Sequence, residues 1–140
     1  MIVISNQAAV GKGLLDPATL QEITVKMHQA LLEDGTPLAA AYYCTHKADE
    51  NCLCRKPKPG LLQTAADDFN IDQSRSIFIG DSDTDVQAAR AVGCASVLFG
   101  SDIGPQPTSQ QDLFTARGVT DLYDLVAKYL RATEHAKSGS

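Results

Sequence analysis

Three cysteines and a histidine fall within one eleven-residue window, as Cys44, His46, Cys52 and Cys54. A Cys-x-His pair, a five-residue spacer and a Cys-x-Cys pair supply three sulfurs and one imidazole, the tetrahedral donor set that structural Zn²⁺ takes. Four protein ligands close the coordination shell, so such a metal has no open position for a substrate. Its work is to order a loop too poor in apolar side chains to order itself, and to hold the adjoining Arg55 and Lys56 in place. Reduced surface thiols are the plainer alternative, but close-set Cys and His in a reducing compartment point to a metal. Cys94, beside Gly93, reads as a small buried residue.

Two further stretches suit an anion. Arg55-Lys56-Pro57-Lys58-Pro59-Gly60 sets three cations just ahead of a helix start, where backbone N–H groups already favour negative charge. Ser5-Asn6-Gln7 offers a hydroxyl, amides and main-chain donors directly after an apolar run, with Gly11-Lys12-Gly13 close behind. A P-loop does not fit there, because Asn6 stands where that pattern needs Gly and Gly13 where it needs Ser or Thr. Gly80-Asp81-Ser82-Asp83-Thr84-Asp85 crowds carboxylates at a strand-to-helix junction, where Asp81 and Asp85 suit one hard cation such as Mg²⁺. An EF-hand is excluded by Val86 and Val92, which occupy the glycine and glutamate places of that loop. Helix capping accounts for one of the carboxylates but not for three. Neither His28 nor His135 pairs with a nucleophile, so a Ser-His or Cys-His mechanism has no support.

The elements that must position these groups alternate along the chain. Strands are expected at Met1–Ser5, Ala39–Tyr43, Ser76–Ile79 and Ala95–Phe99. Between them, a helix runs from Asp16 and Pro17 to Gly35, with Leu20, Ile23, Met27 and Leu31 inward. A second follows Pro59 and turns Leu61, Leu62, Ala65 and Phe69 inward; a third covers Asp85–Val92; a last covers Thr120–Ala132, with Leu122, Leu125, Val126 and Tyr129 buried. This α/β order implies a Rossmann-like parallel sheet with helices on both faces, in one domain over residues 1–132, followed by a disordered tail over 133–140. Ligands in such sheets bind beyond the carboxyl ends of the strands, where the unusual residues lie. With 140 residues the chain is long enough for a core without disulfides. Its 12 basic against 17 acidic side chains argue against nucleic-acid binding, and neither a membrane span nor a signal peptide is seen, so a cytoplasmic protein is expected.

Taken in order, SNQ after a strand, CxH…CxC, RKPKPG and GDSDTD before a helix resemble the haloacid dehalogenase (HAD) superfamily, and within it the zinc-loop subgroup of heptose-bisphosphate and histidinol-phosphate phosphatases. The resemblance covers residues 1 to about 100. It implies a Mg²⁺-dependent phosphomonoester hydrolase acting on a small sugar phosphate, with histidinol phosphate as the alternative substrate. It also implies roles: Ser5, Asn6 and Gln7 at the phosphoryl group, Lys56 neutralising it, Arg55 recognising substrate, Asp81 and Asp85 on Mg²⁺, and Cys44, His46, Cys52 and Cys54 on Zn²⁺. The family's nucleophile, the first Asp of an Asp-x-Asp pair, ends a strand that precedes the SNQ strand and lies between it and the GDSDTD strand. No such pair stands ahead of Ser5 here. The expectations are therefore a sheet missing its first central strand, two apolar edges that pair with each other or stay open, and a polypeptide inactive by itself. A non-catalytic phosphate-binding module is the rival reading.

Overall fold

In the computed structural model, residues 1–100 and 113–138 are described. Strand β1 (Ile2–Asn6) leads through the short helix α1 (Ala8–Gly11) to helix α2 (Pro17–Glu33) and strand β2 (Ala40–Cys44). A loop containing a single 3-10 turn, Ala48–Glu50, then reaches helix α3 (Gly60–Phe69). Strand β3 (Ile77–Gly80), helix α4 (Asp83–Ala91), strands β4 (Ala95–Phe99) and β5 (Leu113–Ala116) and helix α5 (Val119–Ser138) complete the order.

Local chemistry explains most boundaries. Asp16 accepts from the Ala18 N–H at 3.3 Å, Pro17 occupies the first turn, and Gly35, at a φ of +78°, ends α2. The inward stripe of α2 differs by one position from the expected one. Leu20 is buried and Thr24 takes the next place, its hydroxyl 2.8 Å from both the Leu20 carbonyl and the Tyr43 hydroxyl, while Ile23 is half exposed. Phe69 continues the four-residue steps of Leu61 and Ala65 but is the last residue of α3, and it is 45% exposed there. Helix α4 starts at Asp83 rather than Asp85, with Ser82 at its N-cap. Strand β5 was not anticipated: four residues are too few for periodicity to declare. Helix α5 runs on to Ser138, past the expected end at Ala132. Nothing in Thr133–Ser138 breaks a helix, and Arg75 donates to the Thr133 carbonyl at 2.7 Å, anchoring the extra turns. The end of the expected tail, residues 139–140, lies outside the described residues.

The strands are parallel, as expected, but they form two sheets. β1 pairs with β2 in register from Ile2 opposite Ala40 to Asn6 opposite Cys44, and β4 pairs with β3 on one side and β5 on the other. Helix α3 packs on β1 and β2, α4 on β3 and β4, and α5 on β5. Among the described residues, β1 and β3 carry no ladder between them. The two edges stay apart, and a cavity of about 230 Å³ lies between them, walled by Ile2 and Ile4 on one side, Ile77 and Phe78 on the other, and Leu62 and Ala65 of α3. The expected open apolar edges are thus a physical feature of the fold, with unpaired main-chain groups on both sides.

Candidate phosphate and metal sites

A second cavity, of about 350 Å³, opens at the carboxyl ends of β1 and β3. Ser5, Lys56, Asp81 and Asp85 all line it, together with Phe78, Gly80 and Phe99. Four polar residues from three separated stretches of sequence therefore meet where an open parallel sheet places its ligands.

Lys56 and Asp85 form an ion pair in which both side chains are largely buried. The Asp85 carboxylate is held from every side. One oxygen takes the Lys56 ammonium; the other accepts from the Asp81 N–H at 3.1 Å, the Ser82 N–H at 3.2 Å and the Ser82 hydroxyl at 3.0 Å. Both oxygens are thus engaged, Oδ1 by Lys56 alone and Oδ2 by three donors of the 81–82 turn. Burial pushes the Asp85 carboxyl up, but the hydrogen bond and charge of Lys56, with the Ser82 donors, outweigh it and leave the group below its ordinary value. Gly80 is required beside this carboxylate, because a Cβ there would overlap the Asp85 side chain. The Lys56 ammonium also sits 5.9 Å from the centre of the Phe78 ring, on its face. Asp81 lines the cavity with its carboxylate uncommitted to any hydrogen bond described.

The other predicted anion-site residues stand one step back. Asn6 donates to the Lys56 carbonyl at 3.3 Å and accepts from the Lys56 N–H at 3.1 Å. Gln7 donates to the Ser5 hydroxyl oxygen at 3.0 Å. Neither Asn6, Gln7 nor Arg55 lines the 350 Å³ cavity, and Nη1 of Arg55 is buried without a hydrogen-bond partner. Phe78, Ser82 and Gly80 were not anticipated as site residues. Only Gly80 had a visible signal, its place immediately ahead of the acidic cluster.

Cys44, His46, Cys52 and Cys54 converge as their spacing implies, with all four ligand atoms within 4.8 Å of one another. Cys44 Sγ lies 3.5 Å from His46 Nδ1 and from Cys52 Sγ, and His46 Nδ1 lies 3.2 Å from Cys54 Sγ. A tetrahedron with metal–sulfur bonds of ~2.3 Å has edges of roughly 3.7 Å, a length that falls between the shortest of these separations and the 4.8 Å limit. Burial raises the Cys52 thiol, but the Arg55 N–H and the neighbouring thiols more than reverse this and bring it to about 7. Burial and the proximity of Cys44 and Cys52 push Cys54 up to about 12. Crowded thiols resist ionising together, and a divalent cation removes that resistance. The loop is seated by two close approaches: a Cβ on Gly11 would strike the Thr45 carbonyl, and one on Gly60 the Leu53 carbonyl. Lys58 braces it, donating to the Cys52 carbonyl at 2.7 Å and to Asn51 Oδ1 at 2.9 Å.

A family profile described as HAD-hydrolase-like matches residues 53–131, more than half of the chain. The chain belongs to the HAD-like hydrolase family. Among HAD relatives, the D-glycero-beta-D-manno-heptose-1,7-bisphosphate 7-phosphatase of Bordetella bronchiseptica is 35% identical over 130 residues, covering 93% of this chain and 73% of that protein. The enzyme of the same name from Pseudomonas aeruginosa is 38% identical over 96 residues, which are 69% of this chain and only 54% of its own length. The crystal structure of the Bordetella phosphatase, complexed with magnesium and phosphate, superposes with a TM-score of 0.79 at 31% identity, over 91% of this chain and 73% of that one. A HAD-like phosphatase structure from Mesorhizobium loti superposes with a TM-score of 0.71 at 26% identity. The HAD resemblance and the α/β parallel fold expected from sequence are therefore borne out, and the relatives are phosphatases. Among the described residues, no helix is long and apolar enough to cross a membrane.

Proposed function

We propose that this chain forms the phosphate- and metal-binding part of a phosphomonoester hydrolase acting on a sugar phosphate, with a heptose bisphosphate as the leading substrate. The observation that carries this reading is the meeting of Ser5, Lys56 and Asp81 in one cavity at the carboxyl ends of β1 and β3. The Ser5 hydroxyl, whose oxygen already accepts from Gln7, has its hydrogen left to donate to a phosphoryl oxygen. The Lys56 ammonium, shared with Asp85, neutralises charge that builds on the transferring group. Asp81 is the carboxylate suited to Mg²⁺, which commonly takes one or two carboxylates and completes its shell with water and phosphate oxygens. When bound, that ion supplies charge neutralisation at the phosphoryl oxygens. Zn²⁺ belongs on Cys44, His46, Cys52 and Cys54, in a structural role. Arg55, one residue from Lys56 and with an unpartnered Nη1, is the candidate for the remote part of a substrate.

The family resemblance implies that the attacking carboxylate is carried by a further strand, and the slot between β1 and β3 is where an extended apolar segment would enter. That slot has the apolar lining a buried parallel strand needs, and it shares Ile4 and Phe78 with the polar cavity. The named activity of the relatives supports heptose bisphosphate over histidinol phosphate. The test uses the 140-residue polypeptide. It is expected to bind inorganic phosphate with Mg²⁺, to lose that binding on Asp81→Asn, to bind measurably but more weakly with Lys56→Ala, and to hydrolyse no phosphomonoester alone. Turnover of a sugar phosphate by this polypeptide, abolished by Asp81→Asn, would overturn the assignment of the nucleophile to a further strand.

A further inference from the structure

Asn6 ends β1, in register with Cys44, so its backbone is fixed by the ladder while its side chain reaches across the loop. There it makes a reciprocal pair with the main chain of Lys56, fifty residues away: its oxygen receives the Lys56 N–H at 3.1 Å and its NH₂ reaches the Lys56 carbonyl at 3.3 Å. This is the pattern by which a neighbouring strand would hold Lys56, supplied by a single amide. Lys56 has no strand partner of its own, lying in a turn that the Lys58 N–H closes on the Arg55 carbonyl at 2.9 Å. Removing the amide would leave a part-buried main-chain donor and acceptor unpaired. Because Asn6 does not line the polar cavity, its side chain meets Lys56 and not the ligand.

We propose that Asn6 is a positioning residue, which fixes the Lys56 backbone so that the ammonium sits between Asp85 and a bound phosphoryl group. This deepens the phosphatase reading and rests on it for the identity of the ligand. It departs from the expectation that Asn6 itself touches the phosphoryl group. The consequence is that Asn6 contributes to anion affinity only through the Lys56 side chain.

Two measurements on the full polypeptide test this. In a double-mutant cycle read by titration with inorganic phosphate and Mg²⁺, Asn6→Ala alone weakens binding about tenfold, the effect of losing two ordinary hydrogen bonds. In the Lys56→Ala background, which keeps the main chain, Asn6→Ala causes no further loss. An equal loss in both backgrounds would mean that Asn6 contacts the anion directly, and would overturn the proposal. Amide hydrogen exchange tests the clasp independently of any ligand: the Lys56 N–H is protected in the wild-type chain and exchanges faster in Asn6→Ala. An unprotected Lys56 N–H in the wild type would also overturn it. Absence of phosphate binding by the wild type would instead defeat the functional reading, with the exchange result still deciding whether the clasp exists.

Discussion

The metal loop and the polar cavity are neighbours in the chain, joined through Cys54-Arg55-Lys56, yet they are built in opposite ways. The loop draws all four ligand atoms from the eleven residues Cys44–Cys54 and brings them within 4.8 Å of one another. The cavity draws Ser5, Lys56, Asp81 and Asp85 from three stretches and depends on two sheets that are not paired with each other. A local site can be complete while the sheet around it is not; a site assembled over long range inherits every gap in its scaffold. The Lys56–Asp85 ion pair is where the two meet, since Lys56 follows the loop and Asp85 lies in the first turn of α4, beyond β3.

The sharpest way to break this contrast is to remove one of the proposed metal ligands. With Zn²⁺ bound, Cys44→Ser is expected to cut metal affinity by at least about a hundredfold, because a buried ligand at the end of β2 is lost from a closed four-ligand shell. A chromophoric chelator in competition reads this directly. The same substitution should leave the β3–β5 sheet folded, as judged by amide exchange in β4. Equal loss of protection in both sheets would show that the loop is not the autonomous unit its geometry describes.

Next in size is Asp85→Asn. It leaves the Lys56 ammonium largely buried without its counter-charge, a change that costs about 3–5 kcal/mol when a buried pair loses one member. Denaturant unfolding measures it, and a cost below about 1 kcal/mol would place the pair in solvent. The pH dependence follows from the direction of the Asp85 shift. Its carboxyl is held below the ordinary value of 3.8, so the stability it contributes is fully present above that pH and is lost as pH falls through the folded-state value. The difference between wild type and Asp85→Asn should therefore be constant near neutrality and shrink below about pH 4. A difference that grows on acidification would reverse the assigned sign.

The same contrast governs what could be read without coordinates. Cys-x-His and Cys-x-Cys announce a ligand set because a metal shell needs only donor type and short spacing, and the structure assembles those four residues together. The alternation of elements was legible because core burial imposes periodicity, and the parallel strands follow from it. Side chains at the carboxyl ends of strands could be named but not ranked. Nothing in the string SNQ says that Ser5 faces the cavity while Asn6 turns to the Lys56 main chain, since that depends on pairing across fifty residues. Nor does an Asp-x-x-x-Asp spacing reveal that Asp85 folds back on the amides of Asp81 and Ser82. Ile23 and Phe69 were placed inward for a related reason: Ile23 flanks the helical stripe and Phe69 ends it, and the neighbour each would face decides its burial.

The smallest effects come from a pair of glycines and separate the two regions most cleanly. A methyl group on Gly80 would meet the Asp85 carboxylate, whereas one on Gly60 would meet the Leu53 carbonyl of the metal loop. Neither glycine has a positive φ, so the cost of alanine is steric rather than conformational. Overpacking of this kind costs about 1–3 kcal/mol. Gly80→Ala should shift Asp85, loosen its hold on Lys56 and weaken phosphate binding while leaving metal affinity at the wild-type value. Gly60→Ala should do the reverse first, lowering metal affinity by displacing the main chain between Cys52 and Cys54. Its effect on phosphate should appear only as the loop releases Lys56, and should vanish when saturating metal restores the loop. If Gly60→Ala weakens phosphate binding just as much at saturating metal, the loop does not act on the cavity through its ligand shell, and the route between the two sites runs through the start of α3 instead.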